Sequence, residues 1–466
     1  MKKTKICVLA CFLLACLISC KDKDEDVGGH AYDPSKPVVV GSFYPESGNI
    51  RERIVIKGQN FGNDPSKVRV LFKDDITERS ALVIGAAGEA IYCLAPRQNP
   101  GDNDIRVVIE DSDTIQADMT FRYSLTENIS TIINGTGGWV NPAEHPVTDG
   151  KLSEAYTDYI SGVAALGGGT GIVFGNSDAQ YQNVRYWSES DDVILLLQQN
   201  FAAGKPAISE DKDDVYAVKF DAPYTIYRYS RENGWAPYRV GEISSVFESA
   251  GVLQSSSYLG SLTFGKESDR LYFCDSYGVF GYYDLTNQEA KIVNIDLEGI
   301  RDYSGMGTGG YASFEKMAYM VYDKRKDCFY YSAPWSYAIY KIDGDGQHAE
   351  LWAGNPSRSQ VIDGTLLDCA FKMPHSLTLD DDGNIYVCDG SRNGGFVIRK
   401  ISTDGFVSTV AGTVHDNLPG SGDRLAIDGA PLQARFIYPV AIDYDGEGAF
   451  YIGEGWGRRL RKYAVE

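Results

Sequence analysis

Few residues of this chain are suited to proton transfer or metal binding. Its 466 residues include only five histidines, His30, His145, His348, His375 and His415. His375 is the best placed of them, because it follows Pro374 at the start of the apolar run "PHSLTL". Imidazole changes charge near neutral pH and is the commonest metal ligand. A three-histidine centre would need a matching His in other segments, and no other apolar run has one at the position of His375. No metal site is therefore expected, and His375 is read as a hydrogen-bonding residue. No nucleophile elbow, HExxH or phosphate loop occurs. "GGGTG" at 167–171 lacks the strand–helix context of a nucleotide loop. No catalytic residue and no cofactor are assigned. The chain has 64 Asp and Glu, so a paired-carboxylate site is the alternative left open.

Aromatic residues fall where turns normally carry Gly, Asn, Asp or Pro. The polar segments "NSDAQYQN", "DAPY", "DSYG", "APWSY" and "EGWG" carry Tyr181, Tyr224, Tyr277, Trp335 and Trp456. The equivalent segment "GSRNGG" carries Arg392 and Asn393 instead, in a hairpin loop, Gly390 to Gly395, that looks longer than a hairpin needs. A flat ring can cover the apolar C–H face of a sugar while Arg and Asn pair with its hydroxyls. The candidate ligand-binding set is therefore Trp335, Trp456, Tyr277, Tyr224, Arg392, Asn393 and His375. Asp275, Asp389 and Glu454, at the ends of the preceding apolar runs, are expected to cap the turns.

The elements that must position these residues repeat. "FKMPHSLTLDDDGNIYVCDGSRNGGFVIRKI" aligns with "FIYPVAIDYDGEGAFYIGEGWGRRLRKY" through Phe371 and Phe436, Pro374 and Pro439, and Tyr386 and Tyr451. Asp389 matches Glu454, and Arg399-Lys400 matches Arg461-Lys462. "IDGTLLDCAF" and "IDGAPLQARF" precede the two units, and "TDGKLSEAYT" lies further upstream. These units resemble the NHL repeat, which implies four-stranded propeller blades. Counting strands over 125–466 predicts six blades, the last one strand short. "ISTIING", from Ile129, reads as an outer strand with no blade before it. It is expected to complete the last blade, closing the ring and removing the exposed edges. Every turn between second and third strands then lies at one end of the ring, which gathers the aromatic set on one face and is expected to place His375, at the start of an inner strand, at the mouth of the central channel.

Residues 37–124 alternate short apolar runs with turns, the pattern of a β-sandwich. "PVVVGSFYPESGNIRERIVIKGQNFG" resembles an IPT/TIG domain through Pro37, Phe43, Pro45, Gly48, Ile54, Ile56, Gly58, Asn60, Phe61 and Gly62. With no Trp or His, this segment is read as a spacer. The expected fold is all-β: an immunoglobulin-like sandwich followed by a six-bladed β-propeller closed by its N-terminal outer strand.

The N-terminus reads as a processing signal. Lys2, Lys3 and Lys5 precede an apolar run, Ile6 to Ile18, too short to span a bilayer comfortably. "LISC" resembles a bacterial lipobox, which implies that residues 1–19 are a signal peptide and that Cys20 is lipidated. "KDKDED" follows in the tether 20–36 and resembles the surface-export signal of some Gram-negative lipoproteins. The formal charge of -20 argues against nucleic acid as a partner. Cys93, Cys274, Cys328, Cys369 and Cys388 sit mostly in apolar runs, without metal-ligand spacing, and are expected to be buried. The resulting reading is a lipoprotein anchored in the outer membrane and facing the cell exterior. It would bind extracellular glycan for polysaccharide utilization beside other outer-membrane uptake proteins. The alternatives are a carbohydrate hydrolase or lyase using His375 and nearby carboxylates, and a propeller that binds only proteins.

Overall fold

The computed structural model describes residues 30–110, 114–125, 127–135, 149–157, 159–175, 182–220, 223–244, 259–275, 278–295, 297, 300, 317–391, 394–415 and 426–465. The chain divides into two compact units, Met1–Leu125 and Thr126–Glu466. Among the described residues the named elements are β-strands and short 3-10 turns.

In the first unit two sheets are built from strands that alternate inward apolar and outward polar residues. One contains Val39–Tyr44, Arg53–Gln59, Ala90–Leu94 and Leu82–Ala86; the other contains Ser47–Gly48, Ile115–Tyr123, Gly101–Ile109, Val68–Lys73 and Glu78–Ser80. The inward residues Ile54, Ile56, Val70, Phe72, Ile105 and Phe121 form a shared core. Asn60 of the "QNFG" turn has a left-handed backbone, φ 62°. Its amide donates to the carbonyls of Asp33 and Lys36 at 2.9 and 2.8 Å and accepts from the Asp33 N–H at 2.8 Å. Asn tolerates that backbone and supplies both donor and acceptor, which ties down the incoming chain.

In the second unit the described residues form six sheets, the second to fifth starting from the inner strands Ala207–Ile208, Thr263–Phe264, Tyr319–Asp323 and Pro374–Leu379. The first is Ile160–Gly167, Thr170–Gly175, Asn183–Ser188 and Val193–Gln199, each strand antiparallel to the next. The sixth is Pro439–Tyr444, Ala449–Glu454 and Leu460–Val465, completed by Glu127–Gly135. That N-terminal strand runs antiparallel to Leu460–Val465, with Ile129 opposite Tyr463, and buries Ile129 and Ile133. The closing strand inferred from "ISTIING" therefore covers the edge of the last sheet.

Hydrogen bonds near the axis carry the ring from each sheet to the next. Ser161 Oγ donates to the Ala203 carbonyl at 2.6 Å, and the Lys205 N–H to the Gly260 carbonyl at 2.9 Å. The Met320 N–H donates to Ser261 Oγ at 2.9 Å, and Ser332 Oγ to the His375 carbonyl at 2.7 Å. Ser376 Oγ donates to the Ile442 carbonyl at 3.4 Å, and the Ala165 N–H to Asp443 at 2.9 Å. The innermost backbones approach so closely that a Cβ on Gly162 or Gly204 would fall 1.9 Å from the neighbouring carbonyl oxygen.

The two aligned units share one buried network. Arg399, fully buried, donates to Asp389 and the Ala370 carbonyl through Nη1, and to Asp363 and the Ile362 carbonyl through Nη2. Arg461 does the same with Glu454, the Arg435 carbonyl, Asp428 and the Ile427 carbonyl. Each guanidinium also lies 5.2 Å from a phenyl ring, Phe371 or Phe436. The "IDG" segments thus supply the ligands that anchor the inter-blade connection to the third strand.

Candidate functional site

The hairpin connection between Gly390 and Gly395 is shorter than expected. Strand pairing runs through Ile385–Ser391 and Gly394–Ile401, with Ser391 opposite Gly394. Only residues 392 and 393 connect them, so the long irregular loop is replaced by a tight hairpin. A register shift between Asp389 and Ser391 and a left-handed Phe396, φ 50°, absorb the extra residues. The hairpin is held by the Gly390 N–H donating to the Met373 carbonyl at 3.2 Å and the Gly395 N–H donating to the His415 carbonyl at 3.3 Å. Arg392, Asn393, Tyr277 and Tyr181 lie outside the described residues, as does Cys20.

His375 does not open onto a channel mouth. It is fully buried, with Nε2 3.0 Å from the Gly390 carbonyl. A carbonyl only accepts, so Nε2 carries a proton and donates to it. Burial lowers its pKa to about 4. Tyr319 and Tyr438 meet the imidazole edge-to-face, at centroid distances of 6.3 and 5.5 Å. The position beside Pro374 is real, but the rings that pack over it exclude solvent. Tyr224 is likewise withdrawn: it is 4% exposed and packs among Ile226, Leu259 and Val279. Its turn bends inward through a left-handed residue, φ 53°, which turns the ring into the core.

Trp335 and Trp456 remain half-buried in turns between second and third strands, of the fourth and sixth sheets. Trp335 follows Pro334 in a single 3-10 turn and packs on the Tyr331 and Ala338 cluster. Trp456 meets Tyr438 edge-to-face at 5.7 Å, and Tyr438 meets His375, so an aromatic series runs from the interior to the Trp456 turn. The carboxylates beside these turns do more than cap them. Asp389 accepts the Met373 N–H at 2.8 Å and Glu454 the Ile437 N–H at 3.0 Å, while both bind the buried guanidiniums. Burial raises the pKa of both despite the arginines. Asp275 accepts the Val279 N–H at 2.8 Å, closing its own turn.

Residues that sequence reasoning passed over meet at the centre of the ring. Lys205 of the second sheet donates to Asp443 of the sixth at 2.9 Å and to the Ile442 carbonyl at 3.3 Å. Those sheets flank the first one, so the pair reaches past its innermost strand inside the ring. Asp443 also accepts from Thr378 of the fifth sheet at 3.2 Å and from the Ala165 N–H of the first at 2.9 Å. The signal was a Lys in the otherwise apolar segment "FAAGKPAI" and an Asp ending "PVAID", neither of which pairs in sequence. Among the described residues no group of three His, Cys, Asp or Glu is placed to hold a metal ion.

Known proteins match this arrangement. The IPT/TIG domain model matches residues 37–123, and the NHL repeat model matches residues 371–394. No curated protein matches. A solved Bacteroides thetaiotaomicron protein of unknown function is 37% identical, covering 94% of this chain and 100% of that one, with TM-score 0.73. An auxiliary nutrient binding protein from Bacteroides ovatus is 20% identical, with 94% and 100% coverage and TM-score 0.55. Another, from Bacteroides thetaiotaomicron, is 19% identical, with 94% and 99% coverage and TM-score 0.54. These last two share the fold.

Proposed function

The chain belongs to the family of that Bacteroides thetaiotaomicron protein, an IPT/TIG domain followed by an NHL-repeat propeller, and on this premise we propose that it binds an extracellular glycan. The observation that carries the reading is the pair of half-buried indoles, Trp335 and Trp456, in equivalent turns at one end of the ring. Each indole packs against the core and is partly exposed, so little rotamer entropy would be lost on binding a sugar's C–H surface. Arg392, Asn393 and Tyr277 would add polar contacts from neighbouring turns. The names of the two fold-sharing nutrient binding proteins agree with this role. The lipobox-like "LISC" agrees with attachment through Cys20 to the outer membrane, facing outward, beside the uptake proteins that would receive the glycan. Residues 37–124 would serve as the spacer.

Affinity electrophoresis of the protein through gels containing different polysaccharides tests this. Retardation by one polysaccharide, lost in Trp335→Ala/Trp456→Ala, is the expected result. A double variant that migrates like the wild type in every gel would remove the indoles from the site.

A further inference from the structure

The ring carries a second feature at the opposite end from the two indoles. Each innermost strand starts at the indole end and finishes at a turn into its second strand. Between the finishing halves of the strands in the second, third and fourth sheets lies a cavity of about 630 Å³. That volume is within the range of small-molecule sites, roughly 300–1,000 Å³. Its walls are Ala207, Ile208, Phe264, Val321 and Tyr322, its floor is Lys205, Asp443 and Thr378, and its rim includes Glu210, Lys266, Ser268, Lys324 and Asp327.

The charges of the lining are paired. Lys205 meets Asp443 at 2.9 Å, Lys324 meets Glu210 at 2.7 Å, and Lys266 meets Asp327 at 3.5 Å. Three ammonium groups against three carboxylates leave the lining formally neutral, in a chain whose formal charge is -20. An anion or a cation would meet a charge of its own sign beside each opposite one. A neutral ligand would not, and the floor still offers it hydrogen bonds. Lys205 has three ammonium protons, two of them used among the described residues, and the Thr378 hydroxyl can accept as well as donate. Aromatic walls beside a polar, charge-paired floor suit a ring that is apolar on its faces and hydroxylated at its edges.

We propose that this channel end is a second binding site, separate from the indole face, that takes a neutral mono- or disaccharide with its ring against Phe264 and Tyr322 and its hydroxyls at Thr378 and the Lys205–Asp443 pair. The ion pair at the axis is the floor of this site, so the sugar enters and leaves at the same end. The inference does not depend on glycan binding at the indoles.

Saturation-transfer NMR on the purified protein tests it, with maltose, cellobiose and lactose as neutral probes and glucuronic acid and glucosamine as charged ones, each at about 10 mM so that millimolar affinity is visible. At least one neutral disaccharide is expected to bind in preference to both charged sugars. Thr378→Val, which keeps the side-chain shape, should weaken it about threefold to tenfold, the range for one neutral hydrogen bond. Ser268→Trp, at an exposed rim position, should abolish it without touching the core. Trp335→Ala/Trp456→Ala should leave it unchanged while removing polysaccharide retardation. Failure of all three disaccharides to bind, tighter binding of a charged sugar, full binding by both channel variants, or loss in the double Trp variant would each overturn the proposal.

Discussion

Arg399→Met should destabilise the propeller by about 3–5 kcal/mol, the cost of removing one partner of a buried ion pair. The figure follows from what the change leaves behind. Arg399 and Asp389 are both fully buried, and among their partners only Asp363, 46% exposed at its side chain, can turn to water. Met fills much of the volume against Phe371, so the loss is electrostatic more than packing. Asp389 keeps its backbone donors but loses its only cation within ion-pair distance among the described residues. Urea unfolding followed by tryptophan fluorescence would read a midpoint shift of about 1–1.7 M, taking a slope of roughly 3 kcal/mol/M. The pH dependence has a definite sign. Burial already raises the Asp389 pKa in the fold, so the folded state holds its proton more tightly than the unfolded chain. Its contribution is therefore greatest at low pH and falls as pH rises above the ordinary carboxylate value of 3.8 toward the raised one. Without Arg399 that pKa rises further, so the loss should be larger at about pH 8 than at about pH 5. Arg399→Met/Asp389→Asn should recover at least half of the stability, because the orphaned charge is gone. Arg461→Met should cost less, since Arg459 stays 3.7 Å from Glu454. A loss under about 1 kcal/mol, or a double variant no better than the single one, would refute the reasoning.

The remaining predictions concern His375 and the closing strand. The lowered pKa of His375 means that it stabilises the fold fully above its ordinary value of 6.5, and that this contribution is lost as pH falls toward about 4. His375→Asn should flatten the pH–stability curve across that window by up to about 3 kcal/mol, and an unchanged curve would show that the ring is not held neutral. Ile129→Ala, on the strand that completes the sixth sheet, should cost about 2–5 kcal/mol and speed proteolysis near the C-terminus. A protein as stable and as resistant as the wild type would mean that this strand does not hold the ring closed.

Local patterns made much of this molecule legible. Period-two alternation in "RIVIKGQ" and "KVRVLF" specified strands with one buried face, because adjacent side chains of a strand point to opposite sides. The recurrence of Phe, Pro, Tyr, the acidic residue and Arg-Lys marked the blade units, and a spare strand before the first blade with a missing one in the last told how the ring closes. Those signals are contained within a few dozen residues, so one chain read alone can carry them. The same reading put Tyr224 and His375 on a surface and made the turn at 392–393 a long loop. Each error came from a torsion or a packing partner that sequence does not display: left-handed residues at Tyr224 and Phe396, and the Tyr319 and Tyr438 rings over the imidazole. The axial network of Lys205, Thr378 and Asp443 was invisible for a related reason. Its members are separated by as many as 238 residues and belong to different sheets, so no spacing rule relates them. Strand identity is a local property, set by the alternation of a few side chains. Which polar groups meet inside the ring is decided only when it closes, because closure alone brings strands from the two ends of the repeat within hydrogen-bond distance.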